Sequence, residues 1–255
     1  MDESIIFYKI FPVVILIGSI ILHEISHGVA ALWCGDPTAK EAGRLSLNPI
    51  KHVDIFGSII LPAILVISNA GFWIGWAKPV PVNLGKCRNP RTAMWITALA
   101  GPLTNIILAI ISFALYILVL FLLENEYVTV SEQAIIYVLE FLQCGLLINA
   151  GLAFFNLCPI PPLDGSKIVA SVMPVPLMMR YLALERFGFI IIIILVKFDV
   201  FSWYIGGLMN GTINIANSVI AILKISLSIL KIRSISQPKA NSLIALSISS
   251  LWLRY

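Results

Sequence analysis

The stretch His23-Glu24-Ile25-Ser26-His27 lies inside the first long apolar run of the chain. On an α-helix, residues four apart are separated by about 40° around the axis, so both imidazoles point to one side. This spacing lets one helix offer two nitrogen ligands to a metal ion, with Glu24 near enough to reach a water molecule beside it. Titratable residues inside an apolar helix are costly in a membrane and indicate function. The stretch therefore predicts a metal-binding helix within a membrane span.

The composition indicates what surrounds that helix. Of the 255 residues, 59% are apolar and only 12% are charged, whereas soluble domains contain about 25% charged residues. One globular core cannot hide this much apolar side chain, so the lipid bilayer is the expected solvent. The net charge of +4 indicates an excess of basic residues in the loops on the cytoplasmic side. Aromatic and basic residues are not interleaved in a patch that would bind nucleic acid, and we expect no such partner.

The pattern predicts an all-α polytopic membrane protein with about five to six transmembrane helices. A helix that crosses the bilayer needs about 20 mostly apolar residues. The predicted spans are 8–34, 93–122, 133–156, 187–203 and 204–223. The first span shows no signal-peptide pattern, so we expect it to be retained.

A further apolar segment, 54–74, is interrupted by Pro62 and by Asn69-Ala70-Gly71. We therefore expect a re-entrant or broken segment near 54–83, because irregular backbone at membrane depth needs cover from protein or a watery cavity. If 54–74 re-enters, 15 basic residues share one side against two on the other. If it crosses, the division is 13 against four. Both distributions satisfy the positive-inside rule, and the first satisfies it better.

A catalytic zinc ion commonly has three protein ligands, so a third ligand is expected elsewhere. Asp164 is the favoured candidate, because it follows a proline-rich break directly after a long apolar span. His52 is the alternative, with a loop position at the interface as its ordinary role. Cys158 is a third candidate, although a lone cysteine in apolar surroundings is more often a small buried side chain. His23, His27 and Asp164 can share one metal only if the ends of their two helices lie at the same membrane face. This condition favours a re-entrant 54–74.

Three motifs in order carry a family resemblance: HEISHG at 23–28, GPLTN at 101–105 and NLCPIPPLDG at 156–165. Together with the connecting stretches 43–62 and 75–83, they resemble the site-2 protease family of intramembrane zinc metalloproteases, peptidase family M50. The similarity is to the compact branch without PDZ or CBS domains, and it extends from about residue 15 to 223.

The resemblance implies that His23, His27 and Asp164 bind Zn²⁺ and that Glu24 is the catalytic acid and base. It also implies that Asn156 helps to hold the substrate near the metal, whereas Asn105 is expected to serve helix packing. The implied partner is a transmembrane protein substrate. The implied location is a bacterial or archaeal cell membrane, with the chain as a multi-pass integral membrane protein.

On this interpretation residues 1–223 form the membrane-embedded metalloprotease domain, and 224–255 form a tail that is interfacial or disordered. Because a substrate helix hides its backbone in hydrogen bonds, we expect the irregular 54–83 region to receive an unwound substrate, for example as an added strand. Two alternatives remain: a membrane metal transporter with a buried ion path, and an inactive homologue that binds membrane helices without cleaving them.

Overall fold

The computed structural model describes residues 3–60, 64, 67, 77–124 and 131–232. The α-helices in these ranges are α1 (Glu3–Trp33), α2 (Thr38–Glu41), α3 (Pro90–Glu124), α4 (Glu132–Leu157), α5 (Asp164–Val172), α6 (Val175–Leu182), α7 (Gly188–Lys197) and α8 (Val200–Ile232). Short 3-10 turns cover Pro49–His52, Leu84–Lys86 and Ala183–Phe187, and a π-helical turn covers Ile55–Ile60. The described residues contain no strand.

Four helices within the described ranges are long and apolar enough to cross a membrane. They are Ile10–Trp33, Pro90–Glu124, Glu132–Leu157 and Trp203–Leu223. Four of the predicted spans coincide with them. The prediction of an all-α polytopic membrane fold is therefore confirmed. Pro12 and Pro102 lie inside α1 and α3, a position that neighbouring helices and local adjustments make tolerable in membrane helices.

The predicted span 187–203 differs in the structure. It is divided into the 3-10 turn that ends at Phe187, the ten-residue helix α7 and the beginning of α8. A helix of ten residues is about 15 Å long, roughly half the thickness of the hydrocarbon core. The break falls at Asp199, whose φ of 55° is left-handed, a conformation that aspartate adopts more readily than most residues. Apolar composition alone did not reveal this interruption.

The irregular segment predicted near 54–83 is described only at its two ends. Ile55–Ile60 is π-helical, and residues 77–83 have no regular secondary structure before the turn at Leu84–Lys86. Apart from 64 and 67, residues 61–76 lie outside the described part of the chain. The re-entrant course of 54–74 therefore stays a prediction.

The chain divides into two compact units. One contains residues 1–15, 107–151 and 199–255, and its core includes Tyr116, Leu139, Leu142 and Ile220. The other contains residues 16–106 and 152–198. The second unit holds the carboxyl-terminal part of α1, the amino-terminal part of α3 and all of α5, and every residue of the site described next belongs to it.

Candidate metal centre

The two histidines of α1 and Asp164 bring three ligand atoms together. Nε2 of His23 lies 3.0 Å from Nε2 of His27. Each of these nitrogens lies 3.2 Å from Oδ2 of Asp164. The helical spacing of four residues explains why both rings lie on one side of α1. Asp164 is the first residue of α5 and completes the triangle from a part of the chain far downstream.

The other ring nitrogen of each histidine has its own partner on α3. Nδ1 of His23 lies 2.6 Å from Oδ1 of Asn105, and Nδ1 of His27 lies 2.6 Å from the backbone carbonyl oxygen of Thr97. A carbonyl oxygen can only accept a hydrogen bond, so in the neutral rings both Nδ1 atoms donate. Both Nε2 atoms then present lone pairs to each other and to the Asp164 carboxylate.

This donor set fits a zinc ion. Three electron-pair donors at 3.0–3.2 Å from one another share no proton in these tautomers, so a cation between them balances their mutual repulsion. Zinc bonds of about 2.0–2.2 Å in tetrahedral geometry place ligand atoms about 3.3 Å apart. The observed triangle matches one face of such a tetrahedron and leaves a fourth position. Within the described residues, His23, His27 and Asp164 are the group that could hold a metal.

Asp164 is held in place by its local sequence. Pro159, Pro161 and Pro162 stop the helical pattern after α4, and the carboxylate follows at the start of α5. Gly165 is necessary here, because a Cβ at this position would collide with the carbonyl group of Leu157. Burial alone would raise the pKa of the Asp164 carboxyl. Lys167, whose Nζ lies 3.8 Å from Oδ1, opposes this effect by favouring the ionised form.

His52 takes no part in the triangle. Its side chain is buried, and its Nε2 lies 2.8 Å from the carbonyl oxygen of Ser46. Its own carbonyl accepts from the backbone N–H of Lys78 at 2.9 Å. His52 thus ties the loop before the irregular segment to the segment after it. Cys158 is also outside the group, as a buried thiol whose pKa is raised by burial.

Glu24 is oriented by the segment 77–83, which has no regular secondary structure. Its Oε2 accepts a hydrogen bond of 2.8 Å from the backbone N–H of Val80. Val80 stands between Pro79 and Pro81, which have no N–H, so it is the one residue of these three that can donate. This hydrogen bond fixes the orientation of the carboxylate through Oε2.

The segment 77–83 is itself attached at both ends. Arg44 donates to the carbonyl oxygen of Lys78 at 2.6 Å. The fully buried carboxylate of Asp36 accepts from the backbone N–H groups of Thr38 and Asn83 and from the Thr38 hydroxyl. Burial opposes ionisation, but these hydrogen bonds keep the pKa of Asp36 below its ordinary value. Sequence reasoning missed Asp36 and Val80, because one lies in a short polar loop and the other acts through its backbone.

One face of α3 supports both histidines. Thr97, Gly101 and Asn105 follow one another at intervals of four residues, and they pair with α1 in antiparallel order, His27 with Thr97 and His23 with Asn105. Gly101 lies between these contacts. A Cβ there would be 2.5 Å from His23 Cε1 and 2.5 Å from His27 Nε2. Sequence reasoning assigned the GPLTN motif to the family and Asn105 to packing, whereas the structure places the motif against the two rings.

Asn156, the predicted substrate-binding residue, lies in the last turn of α4. Its Nδ2 donates to the carbonyl oxygen of Leu152 at 2.9 Å. This is a hydrogen bond within its own helix, and the described contacts do not join Asn156 to the three ligand atoms. Its role in substrate binding remains a prediction.

An all-α membrane fold with two histidines and one carboxylate converging beside a glutamate defines a class, that of membrane metalloproteases. The profile described as Peptidase family M50 matches residues 123–196. The chain is 39% identical over 202 residues to "Putative zinc metalloprotease YwhC" of Bacillus subtilis, an alignment that covers 79% of this chain and 86% of the relative. The chain belongs to peptidase family M50 and is a metalloprotease.

A more distant relative gives the same assignment. The chain is 28% identical over 181 residues to "Putative zinc metalloprotease Rip2" of Mycolicibacterium smegmatis, covering 69% of this chain and 62% of the relative. No solved structure gave a significant match. The resemblance seen in the motifs is thus confirmed at the level of the family.

Proposed function

We propose that this protein is a zinc-dependent intramembrane endopeptidase that hydrolyses a peptide bond in or near a transmembrane segment of another membrane protein. The observation that carries the proposal is the triangle of Nε2, Nε2 and Oδ2 atoms beside Glu24, inside the span Ile10–Trp33. His23 lies ten residues before the end of α1, about 15 Å along the helix axis. A hydrolytic site at that depth reaches peptide bonds that soluble proteases cannot.

In this proposal His23, His27 and Asp164 hold the zinc ion. Zinc, when bound, supplies Lewis-acid polarisation of the scissile carbonyl and makes water a nucleophile near neutral pH. Glu24 accepts the proton of the attacking water at Oε1. The water oxygen bonds to the carbonyl carbon, the C–N bond breaks, and Glu24 returns the proton to the leaving amine nitrogen.

The substrate side of the proposal concerns the irregular segment. A transmembrane substrate is helical, so it has to unwind before a peptide bond can reach Glu24. We place the unwound stretch along the 54–83 region, because residues 77–83 have no regular secondary structure and carry the Val80 amide that contacts Glu24. Asn156, near the start of the loop that leads to Asp164, is proposed to hold the substrate. Residues 1–223 are proposed as the catalytic domain and 224–255 as a tail, in a bacterial or archaeal cell membrane.

Two variants test the assignment of roles. Glu24→Gln keeps a side chain of the same shape but removes the base, so it is expected to retain zinc and to lose about 10²–10⁴-fold in cleavage rate. Asp164→Ala removes a ligand and is expected to lose both zinc and cleavage. Zinc content and cleavage of a model transmembrane substrate are measured on protein purified in detergent. Glu41→Gln changes an exposed carboxylate on the same unit and serves as the control.

The outcome separates the alternatives. Zinc transport that survives Glu24→Gln would favour the transporter. A wild-type protein that binds zinc and membrane helices but cleaves none would favour the inactive homologue. Retention of zinc by Asp164→Ala would contradict the ligand assignment.

A further inference from the structure

We propose that Asn105 is a positioning residue that fixes the tautomer and the ring orientation of His23, and this inference rests on the proposed role of His23 as a zinc ligand. The contact is direct, because His23 Nδ1 lies 2.6 Å from Asn105 Oδ1. Asn105 is fully buried, with a relative exposure of 0%. A carboxamide at such a position on an apolar helix is costly unless it is hydrogen-bonded. A residue needed only for packing would be better as leucine.

The chemistry of the two groups determines which of them donates the hydrogen bond. The Asn105 oxygen accepts and cannot donate, so it selects the His23 tautomer with hydrogen on Nδ1. Nε2 of His23 then has a lone pair where it faces His27 and Asp164. In the other tautomer, Nε2 would carry a hydrogen and would donate to Asp164 Oδ2 at 3.2 Å. Nε2 would then have no lone pair for a metal ion, and its contact with Asp164 would be an ordinary hydrogen bond.

The two histidines are supported in different ways. His27 is held by the backbone carbonyl of Thr97, an acceptor that every residue type supplies. His23 is held by a side chain, so its tautomer depends on the residue at position 105. The shared face of α3 and the absence of a side chain at Gly101, where a Cβ would lie 2.5 Å from both rings, let both contacts form at once. Asn105 is thus a point on α3 where substitution can alter ligand orientation without removing a ligand.

Asn105→Leu and Asn105→Asp form a decisive pair. Leucine preserves the volume but cannot accept a hydrogen bond, whereas aspartate accepts it in the same place. Positioning predicts that Asn105→Leu lowers zinc affinity about 10–100-fold and that Asn105→Asp stays within a few-fold of wild type. A packing role predicts instead that Asn105→Leu keeps the higher zinc affinity and Asn105→Asp the lower. Zinc affinity is measured by competition with a chelator, on the full chain in detergent.

Two further readouts distinguish positioning from general damage. For Asn105→Leu saturated with zinc, kcat for a model transmembrane substrate is expected to fall while KM changes little. The visible absorption of the cobalt-substituted protein is expected to change for leucine and not for aspartate. Asn149→Leu is the matched control, because Asn149 is also buried on a membrane helix but donates to its own helix at the Gly145 carbonyl. It should leave zinc affinity and the cobalt spectrum unchanged.

The results separate this inference from the proposed function. If His23→Ala and Asp164→Ala abolish zinc binding but Asn105→Leu binds zinc like wild type, the positioning role is wrong and the metal site stands. If His23→Ala itself retains wild-type zinc affinity, the proposed function and the inference both fail. If Asn105→Leu does not fold, rescue by Asn105→Asp supports the role, and loss of zinc affinity in a folded Asn105→Asp overturns it.

Discussion

At His23 and His27 the decisive property is which ring nitrogen carries the hydrogen. Both Nδ1 atoms lie 2.6 Å from oxygen acceptors on α3, so the two Nε2 atoms are free to act as ligands. Hydrogen bonds of this kind raise the basicity of a ligand and restrict the rotation of its ring. The metal site therefore depends on α3 as much as on the helix that carries the histidines.

Gly101→Ala is predicted to impair zinc binding without breaking the helix. The added Cβ would lie 2.5 Å from both rings, so the imidazoles would have to move apart from their α3 partners. Alanine favours a helix over glycine by about 1 kcal/mol, so any loss comes from the contact. We expect zinc affinity to fall about 10–100-fold, measured by chelator competition.

Gly151→Ala provides the matched control for this substitution. It adds the same methyl group to a membrane helix, at a position where nothing lies within 4 Å of the new Cβ. Zinc affinity should stay at the wild-type value. Equal zinc affinity in the Gly101 and Gly151 variants would show that the space beside the rings is not needed.

Part of this site could be predicted from residue types and spacing, and part could not. The interval of four residues between His23 and His27 is a property of the helix itself, and a buried carboxylate after prolines singled out Asp164. The contact of Asn105 with His23 depends on the register between α1 and α3, which no local pattern encodes. Thr97 contributes a carbonyl that every residue carries, and Val80 contributes an N–H that every residue except proline carries. The identity of neither side chain therefore signals the contact.

Among the elements, the segment 77–83 is the one that joins Glu24 to the loops around it. It is attached through Lys78, Val80 and Asn83 to three separate acceptors. Pro79 and Pro81 fit a segment without regular secondary structure, because neither position has to donate an N–H to a helix or strand. The prolines leave Val80 as the donor that reaches Glu24, so the element has a specific task despite its lack of regular structure.

Val80→Pro is predicted to slow catalysis while zinc remains bound. It removes the N–H that holds Glu24 Oε2 at 2.8 Å, and a hydrogen bond to a charged group contributes about 1.5–3 kcal/mol. This corresponds to a fall of about 10–100-fold in kcat. Zinc content and KM should change little, as measured on a model transmembrane substrate.

Val80→Ala is the comparison that isolates the N–H group. Both variants replace the buried branched side chain of Val80, but alanine keeps the amide hydrogen. If Val80→Ala lowers kcat as much as Val80→Pro does, packing of the side chain explains the effect and the hydrogen bond to Glu24 is not needed.

For the molecule as a whole, the antiparallel pairing of α1 and α3 constrains the path of the chain through the membrane. His27 pairs with Thr97 and His23 with Asn105, so the end of α1 and the beginning of α3 lie at the same face. The chain between residues 34 and 89 therefore leaves and returns on one side. We therefore expect 54–74 to re-enter rather than to make a single complete crossing.

Cysteine labelling tests this topology. In a chain without its four native cysteines, single cysteines at Leu47 and Leu177, both exposed, are predicted to react from the same side of the membrane. A cysteine at Glu132 should react from the opposite side, because α4 is long enough to cross between Glu132 and Leu157. A membrane-impermeant reagent applied to sealed vesicles of known orientation distinguishes the two sides.

The positive-inside rule assigns Leu47 and Leu177 to the cytoplasmic side, since on the re-entrant topology their side carries 15 of the 17 basic residues. Reaction of Leu47→Cys and Leu177→Cys from opposite sides would mean that 54–74 crosses. In that case Asp164 could not reach the histidines as described, and the zinc site would have to be reassigned.

The position of Asp164 in the chain also has a consequence for biosynthesis. The two histidines are made with the first span, but the carboxylate that completes the group follows the third of the four long apolar helices in the described residues. A nascent chain on the ribosome therefore has the glutamate and the imidazoles in the membrane long before it can hold a metal tightly. On the proposed ligand set, hydrolytic capacity is expected only after α4 has been inserted, so the growing chain would be inactive toward its own early helices during translation.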